Sequence, residues 1–388
     1  MDIWEEMRQH LRQLEQAGLR RFERVIESPV GRHVRLGGRE LVCLCANDYL
    51  ALANDEAVKA AAAGALSLWG VGSGASRLVS GTSAMHKELE RRLADFKKTQ
   101  SALVTSTGWM ANHAAIHAFC GTGDLILCDK LNHASIIDAS ISSGARVRTY
   151  PHCNIQRLEQ LLARHRGEHR RCLIVTDSLF SMDGDVAPLA ELIRIKKTFD
   201  AQLLIDEAHA TGVLGEGGRG AAEMAGVEEH VDATVGTLSK ALGGMGGFVA
   251  GPDVLIETIR NTGRPYIYTT ALPPALCATA IAALDIVQTQ PDRRRRVLSL
   301  AQHLRSALAS AGFDTGRSVS HIIPIMMGDE AAALAASSHL QQDGFLVPAI
   351  RPPTVPRGTS RLRVSLCSNH QESDLDGFMK SLCAAKGR

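Results

Sequence analysis

The middle of the chain alternates short apolar runs with longer segments whose polar spacing is that of helices. Four such runs, each followed by polar residues, lie at 102–104, 125–128, 172–175 and 203–205. Strands that are apolar on both faces and separated by helices are typical of a parallel sheet that helices cover on both sides. Ligands of such sheets bind beyond the carboxyl ends of the strands, so the polar residues after each run are candidates for a functional site.

Further elements flank this region. Apolar residues at three- and four-residue steps predict an amphipathic N-terminal helix, with Ile3, Trp4, Met7, Leu11 and Leu14 on one face. A hairpin is predicted around Gly37-Gly38, and helices at 274–290 and 293–311 precede a C-terminal region of alternating strands and helices. The expected domains are an arm with a hairpin at 1–46, a large domain at 47–285 and a small α/β domain at 286–388.

The composition narrows the class of protein. With 388 residues, 45% hydrophobic residues and a formal net charge of +2, the chain can bury a large core and has little overall charge bias. The run Arg293 to Arg296 opens a predicted helix, where a solvated face is a more common explanation than a nucleic-acid patch. Nine cysteines, without a C-x-x-C pair or a zinc-ligand spacing, favour a reducing compartment. We find no apolar stretch long enough for a signal peptide or a membrane span, so we expect a cytoplasmic protein that binds neither membrane nor nucleic acid.

Lys240 is the first candidate for chemistry. It lies between the hydroxyl residues Thr237 and Ser239 and the pair Gly243-Gly244, in a stretch that predicts a turn between two strands. An amine that is held on such a framework in a dry pocket loses some preference for its charged form and becomes a nucleophile for a carbonyl. An ordinary surface lysine is the alternative that this stretch leaves open.

Residues after the apolar runs supply further candidates. Residues 105–112 place hydroxyls and a glycine where a strand turns into a helix, which suits either a phosphate group or a plain helix N-cap. His133 follows the second run, where a histidine either acts in function or satisfies a local polar group. Asp206 and His209 follow the fourth run, but a metal site there requires a third ligand that the neighbouring sequence does not indicate, and no metal is expected.

Two nucleotide-binding motifs carry little weight. Residues 206–209 have the letters of a helicase box, but the chain lacks the G-x-x-x-x-G-K-[ST] loop that a helicase requires. Residues 215–220 match G-x-G-x-x-G, yet they do not occupy the first strand-to-helix turn of a nucleotide-binding half.

One cofactor makes sense of all the candidates together. A lysine can form an imine with pyridoxal 5'-phosphate (PLP), and a strand-end aspartate such as Asp206 can keep its pyridine nitrogen protonated. The segment at 105–112 can hold the phosphate, and His133 and His209 lie where further contacts are needed. We therefore interpret the chain as a PLP-dependent enzyme.

The motifs, in this order, resemble the α-oxoamine synthases, a family in the fold-type I group of PLP enzymes. The resemblance covers nearly the whole chain, and it is carried by Asn47-Asp48-Tyr49-Leu50, Gly72-Ser73-Gly74, Ser106-Thr107-Gly108, Asn132-His133-Ala134-Ser135, Phe180-Ser181-Met182-Asp183-Gly184-Asp185, Asp206-Glu207-Ala208-His209-Ala210-Thr211-Gly212, Thr237-x-x-Lys240 and Arg361-Leu362-Arg363. It implies an α/β fold of the aspartate aminotransferase type, with a mostly parallel central sheet, helices on both faces and a smaller C-terminal α/β domain. It also implies a homodimer with the active site at the subunit interface.

The resemblance assigns the cofactor contacts and the catalytic residues. Lys240 would hold PLP as a covalent aldimine and later move the Cα proton of the substrate. Asp206 would pair with the pyridine nitrogen, and His133 would stack on the ring. The remaining contacts would be made by His209 and Ser181 at the phenolic oxygen, by the backbone of Gly108 and Trp109 and the Thr237 hydroxyl at the phosphate, and by Thr270 at the phosphate of the neighbouring subunit.

The resemblance also assigns the substrate contacts. Asn47 and Arg363 would bind the carboxylate of the amino acid, and Thr354 would line the acyl pocket. Either Arg20 or Arg21 would meet the acyl substrate, because the spacing up to Asn47 fits both.

The resemblance also implies the substrates, through the sequences of two loops. Residues 72–81 and 350–356 look most like the family member of the biotin pathway, which condenses L-alanine with pimeloyl-CoA or a pimeloyl carrier protein and releases carbon dioxide. Sibling synthases that use glycine or serine with another acyl-CoA are the alternative. A PLP-dependent aminotransferase or lyase, which needs no thioester, is a second alternative.

Overall fold

The computed structural model describes residues 2–386 of the chain, which fall into two compact units. The small unit comprises Met1–Asn47, Met182–Gly184 and Val297–Arg388. The large unit comprises Asp48–Ser181 and Asp185–Arg296. The division into 1–46, 47–285 and 286–388 stays a prediction.

The elements are numbered in chain order. The strands are β1 His33–Leu36, β2 Arg39–Cys43, β3 Ser101–Thr105, β4 Leu125–Asp129, β5 Arg146–Tyr150, β6 Cys172–Asp177, β7 Gln202–Asp206, β8 Ala233–Thr237, β9 Gly247–Gly251, β10 Ile322–Gly328, β11 Phe345–Leu346, β12 Ala349–Ile350 and β13 Ser360–Ser365. The helices are α1 Ile3–Gln16, α2 Glu56–Trp69, α3 Ala84–Lys97, α4 Gly108–Phe119, α5 Ala134–Ser142, α6 Ile155–His165, α7 Leu189–Thr198, α8 Ala221–Met224, α9 Asp253–Thr262, α10 Arg264–Ile267, α11 Pro274–Thr289, α12 Asp292–Ser310, α13 Glu330–Gln342 and α14 Glu372–Lys386. The predicted N-terminal helix, the hairpin and the two helices after residue 273 are confirmed.

A seven-stranded sheet with the order β3-β9-β8-β7-β6-β4-β5 forms the centre of the large unit. Neighbouring strands from β8 to β5 run parallel, whereas β9 is antiparallel to both β8 and β3. The four apolar runs lie in β3, β4, β6 and β7, which confirms them as strands. The first run, in β3, lies beside β9. Strand β9 is antiparallel to β8 because a short turn connects these two strands, and a short turn can join only antiparallel neighbours.

Burial explains why these strands read as continuous apolar runs. Every residue of β4, β6 and β8 is buried, and large side chains such as Leu127 and Ile174 have no exposed surface. Complete burial of one such side chain contributes roughly 1.5–3 kcal/mol. The last residue of each of these parallel strands is polar, and Asp177 pairs in register with Asp206. The polar residues therefore share one edge of the sheet, as the parallel arrangement predicts.

The small unit contains two three-stranded sheets, with the orders β1-β2-β11 and β10-β13-β12. Strands β10 and β13 pair antiparallel, and Pro324 lies opposite Arg363. A small apolar cluster of Val34, Leu41, Cys43 and Leu346 joins β1, β2 and β11. A mostly parallel central sheet with helices and a smaller sheet near the C-terminus is the predicted fold class, which is thereby confirmed.

None of the helices within residues 2–386 has both the length and the apolar character that crossing a membrane requires.

Candidate active site

Lys240 lies in the turn between β8 and β9, as the sequence predicts. The turn is closed by the N–H of Leu238, which donates to the carbonyl of Gly246 at 3.0 Å. At Gly243 the φ angle is +65°, and an added Cβ would lie 2.4 Å from the backbone nitrogen of Ala53. Only glycine fits that position, so the glycine run is what allows the turn to pack closely beside the lysine.

A chain of hydrogen bonds connects Lys240 with two buried side chains. Its Nζ lies 2.8 Å from Nε2 of His209, and Nδ1 of His209 lies 2.6 Å from the hydroxyl of Tyr49. His209 is 4% exposed and Tyr49 is 0% exposed. A neutral imidazole has one donor and one acceptor nitrogen, so it can form a hydrogen bond with the amine through one nitrogen and with the phenol through the other. We call Lys240, His209 and Tyr49 the proton chain.

Asp206 is oriented by two neutral donors at the end of β7. Its Oδ2 accepts a hydrogen bond from Nδ2 of Asn112 at 2.7 Å, and its Oδ1 accepts one from the backbone N–H of Ala208 at 2.8 Å. Asn112 itself is buried on α4 and also donates to the hydroxyl of Ser135 at 2.9 Å. The carboxylate is therefore held in one orientation by two uncharged donors.

A second aspartate lies beside it. Asp177 is opposite Asp206 in the sheet register, and its Oδ2 accepts the backbone N–H of His133 at 2.7 Å. Burial, together with the negative charge of Asp206, raises the pKa of Asp177 well above its ordinary value. This shift favours the protonated form of Asp177 and so reduces the negative charge that the two aspartates place at this edge of the sheet.

His133 is the N-cap of α5 and presents its ring beside Trp109. Nδ1 of His133 contacts the hydroxyl of Ser135 at 2.8 Å, and the rings of His133 and Trp109 meet edge to face with centroids 6.1 Å apart. Burial lowers the pKa of His133, so a neutral imidazole is favoured near pH 7. A neutral ring is the form that stacks on an aromatic cofactor at the smallest desolvation cost.

The candidate phosphate cradle is formed at the N-terminus of α4. The amides of Gly108 and Trp109 open this helix, and no acidic residue lies in its first turn. Thr237 lies next to Gly108, since an added Cβ on the glycine would be 3.5 Å from the threonine Cβ. The Thr237 hydroxyl contacts the Ser239 hydroxyl at 2.7 Å. Free amides, the helix dipole and hydroxyls together suit a dianion.

Two other predicted cofactor contacts are placed near these elements. Ser181 follows β6 in the large unit. The carbonyl of Thr270 accepts a hydrogen bond from the hydroxyl of Ser106 at 3.0 Å, so Thr270 lies beside the segment that leads into α4. Their roles toward the cofactor stay predictions.

In the small unit, Arg363 and Asn47 are brought together. Nη1 and Nη2 of Arg363 approach Oδ1 of Asn47 at 3.5 and 3.4 Å, and Nη1 also donates to the hydroxyl of Ser365 at 2.7 Å. Arg363 is 5% exposed and lies on β13. A buried guanidinium beside an amide is suited to a carboxylate, because it offers donors in a planar fork.

The small unit also contains a cavity of about 770 Å³ that we call the arginine pocket. Among its lining residues are Arg20, Arg21, Phe22, Arg351 and Thr354. Nη2 of Arg21 donates to the hydroxyl of Thr354 at 3.0 Å, whereas Nη1 of Arg20 pairs with Glu15 at 2.7 Å. The structure therefore joins Arg21 with the predicted acyl-pocket residue, and it gives Arg20 an anionic partner.

Several residues of the site were not predicted from the sequence. Tyr49 lies in the motif that contains Asn47, and Ser239 directly precedes Lys240, so both had a positional signal. Asn112 is a polar residue among the buried alanines of α4, which is a further signal. Asp177 ends a strand just as Asp206 does, but its partner becomes visible only when the strands are paired.

Comparison with known proteins agrees with this geometry. The sequence profile of the family described as aminotransferase class I and II matches residues 39–382. The 8-amino-7-oxononanoate synthase of Anaeromyxobacter dehalogenans (strain 2CP-1) is 49% identical over 374 residues, which are 96% of this chain and 94% of that protein. Matches of this extent are sufficient to assign a chain to a protein family.

Solved structures are similar as well. Sphingomonas wittichii serine palmitoyltransferase is 33% identical with a TM-score of 0.94, over 100% of this chain and 98% of that one. A serine palmitoyltransferase structure with PLP as internal aldimine is 33% identical with a TM-score of 0.93, over 100% and 99%. The 8-amino-7-oxononanoate synthase of Francisella tularensis is 28% identical with a TM-score of 0.77, over 89% and 98%.

Proposed function

We propose that this protein makes 8-amino-7-oxononanoate for biotin synthesis. The chain belongs to the aminotransferase class I and II family and, within it, to the α-oxoamine synthases. L-Alanine and a pimeloyl thioester, carried by CoA or a carrier protein, would be joined with release of carbon dioxide and the free thiol. The substrates rest on relatives of that name at 49% identity over nearly the full length. The reaction class rests on one observation in the structure, the juxtaposition of Lys240 with His209.

PLP is the cofactor of this family, and the residues present fit it. The turn offers an amine at Lys240, the end of β7 offers a carboxylate at Asp206, and the start of α4 offers amides and hydroxyls for the phosphate. The orientation of Asp206 by Asn112 matches a group that must meet a ring nitrogen at a fixed place. When bound, PLP supplies an electron sink for negative charge at the Cα atom of the amino acid.

The protein's own residues would then do the following work. The amine of Lys240 would attach the cofactor, and after its release would take the Cα proton of bound alanine and return a proton at the end of the reaction. His209 and Tyr49 would keep the amine oriented and share its hydrogen bond. Asp206 would hold a proton on the ring nitrogen, and the raised pKa of Asp177 beside it would reduce the competing negative charge.

Substrate binding would fall to residues of the small unit. Arg363, with Asn47, would hold the carboxylate of alanine by charge-assisted hydrogen bonds. Arg21 and Thr354 would meet the acyl substrate. We favour Arg21 over Arg20, because Arg20 already has Glu15 as its ion-pair partner.

We also propose a homodimer in the cytoplasm, in which Thr270 reaches the phosphate of the neighbouring subunit. Exposed apolar side chains on the large unit support an interface, since Trp69 is 41% exposed and Val71 is 82% exposed. Sedimentation analysis of the purified protein would test the dimer, and a monomer at assay concentration would contradict it.

A substrate matrix tests the function. PLP-loaded protein is mixed with L-alanine, glycine or L-serine, each with pimeloyl-CoA, acetyl-CoA, succinyl-CoA or palmitoyl-CoA, and thiol release and product mass are measured. We expect release with alanine and pimeloyl-CoA, and the product mass of 8-amino-7-oxononanoate. Release confined to glycine or serine pairs would assign a sibling synthase, and amino-acid conversion without any thioester would assign a transaminase.

A further inference from the structure

Cys43 and Cys45 form a close pair of thiols in the small unit, and the proposed reaction uses neither. Their Sγ atoms are 3.9 Å apart, within hydrogen-bond distance for sulfur. Cys43 ends β2 and is buried, whereas Cys45 is partly exposed. Side chains two residues apart in extended backbone point to the same side, which explains why the two sulfurs meet.

The surroundings of this pair favour reactivity. The hydrogen bond from Cys45 lowers the pKa of Cys43 to about 7. The same hydrogen bond and burial raise the pKa of Cys45 well above its ordinary value, against the opposing charges of Arg24 and Arg363, so Cys43 is the more acidic thiol of the pair. Reactive cysteines lie in such electropositive, partly exposed surroundings. By contrast, burial raises the pKa to about 12 for thiols elsewhere, namely those of Cys120, Cys128, Cys172 and Cys277.

We propose that Cys43 and Cys45 are a modification site for hydroperoxides, at which the two thiols close reversibly into a disulfide. A thiolate of the pair attacks one peroxide oxygen, which gives a sulfenic acid and releases water when the peroxide is hydrogen peroxide. The second thiol attacks the sulfenic sulfur, and the hydroxide that leaves takes up the remaining proton as water. Two thiols are oxidised by two electrons, one peroxide is reduced, and two waters form.

The backbone around the pair directs the resulting movement. The N–H of Leu44 donates to the carbonyl of Leu346 at 3.1 Å, and its carbonyl accepts the N–H of Ser365 at 2.8 Å. The carbonyl of Cys43 accepts Nε2 of His370 at 3.1 Å. The backbone of Cys43 and Leu44 is anchored, so we expect the approach of the sulfurs from 3.9 Å to about 2 Å to involve rotation of the side chains and movement of Cys45.

Movement of Cys45 is transmitted to Asn47, which is two residues further on and contacts Arg363. The disulfide would therefore disturb the carboxylate-binding pair, and this consequence rests on the proposed function. The bond is also strained, since its residues are separated by one amino acid only. Strained disulfides are reduced readily, so exchange with two molecules of a small thiol would return both cysteines and convert that thiol into its own disulfide.

Peptide mapping tests the chemistry independently of the function. The reduced, PLP-loaded full-length protein is treated with hydrogen peroxide, alkylated and digested with trypsin. The tryptic fragment of residues 40–59 contains Cys43 and Cys45 and no other cysteine. We expect this fragment to lose two hydrogens, to escape alkylation and to recover both thiols after dithiothreitol. Full alkylation of the fragment under conditions that oxidise Cys383, which is exposed, would overturn the proposal.

Matched variants test the consequence. In the oxidised protein we expect the KM for L-alanine to rise about tenfold, as for loss of one charge-assisted hydrogen bond, and to return after reduction. Cys45→Ser should abolish this response and leave a trappable sulfenic acid at Cys43, whereas Cys383→Ser should respond like the wild type. An unchanged KM in protein with the mapped disulfide would refute the coupling to Asn47. Failure of the reduced protein to turn over alanine would instead refute the proposed function, and the mapping would still decide the chemistry.

Discussion

Two groups of side chains are held in opposite ways. One is the proton chain together with Asp206 in the large unit, and the other is the arginine pocket in the small unit. Tyr49, His209 and Asp206 are each at most 5% exposed and hydrogen-bonded at 2.6–2.8 Å. In the arginine pocket, Arg20 has a side chain that is 36% exposed, and its partner Glu15 is 59% exposed. Exposed ion pairs contribute little free energy, because water screens them.

This difference separates the common chemistry from the choice of substrate. A buried, fully oriented set of groups can stabilise charge at a reacting atom, because the groups need no reorganisation during the reaction. A pocket with partly exposed arginine side chains can change its partner at little cost in stability. The chain is similar to both serine palmitoyltransferase and 8-amino-7-oxononanoate synthase, and the names of these two proteins state different substrates or products. This similarity fits the division.

The largest effect is expected at the lysine. Lys240→Ala should lower kcat at least about 10³-fold, because attachment of the cofactor and proton transfer both depend on its amine. Borohydride reduction followed by mass analysis should add a pyridoxyl group to the wild type at Lys240 and none to the variant. A stable label on another lysine of the variant would disprove the assignment.

The two strand-end aspartates should differ strongly. Asp206→Asn should lower kcat about 10²–10³-fold, because it removes the buried carboxylate that we propose to lie beside the ring nitrogen. Asp177→Asn is the matched control and should change kcat less than about threefold, because the raised pKa of Asp177 favours its neutral form and an amide keeps the acceptor for the N–H of His133. Steady-state assays of both variants decide this, and equal losses would show that the charge does not reside on Asp206.

A stability effect is expected at His152 in the large unit. Burial alone would lower the pKa of His152, but hydrogen bonds to Asp129 and Asp185, at 3.1 and 2.8 Å, raise it to about 12. Because the folded pKa lies above the unfolded value, the contribution to stability is complete below about pH 6.5 and declines as the pH rises toward 12. His152→Gln should therefore lower the free energy of unfolding by about 3 kcal/mol at pH 6 and by less at pH 9.

Urea unfolding at both pH values measures this effect. His230→Gln is the control, since His230 is exposed and its replacement should cost little stability. A loss for His152→Gln that grows between pH 6 and pH 9 would contradict the charged state of the histidine.

The smallest effect is expected in the arginine pocket. Arg21→Ala should raise the KM for the pimeloyl thioester about tenfold with little change in kcat, because it removes one charged donor from the acyl substrate. Arg20→Ala should raise the same KM less than about twofold, because Glu15 already neutralises it. If Arg20→Ala has the larger effect, the assignment of the two arginines is reversed.

Much of the site was accessible from the sequence because its residues follow apolar runs directly. Lys240, Asp206 and His133 each lie just after a strand that periodicity identifies, and parallel strands place such residues at one edge of a sheet. Residue chemistry then restricts the cofactor, since an amine, a carboxylate and a helix N-terminus suit PLP together. The parallel sheet with helices on both faces followed from the same pattern, whereas the aspartate aminotransferase type of fold was implied by the resemblance to the α-oxoamine synthases.

Other features were decided only by the tertiary structure, because they depend on contacts between residues far apart in the chain. His209 meets Tyr49 across 160 positions, and Asn112 meets Asp206 across 94. The raised pKa of Asp177 depends partly on its neighbour in the sheet register, which local periodicity does not encode. The choice between Arg20 and Arg21 depends on Thr354, 333 positions beyond Arg21. Side-chain partners are set by packing of the folded chain, whereas strand ends are set by local hydrophobic pattern.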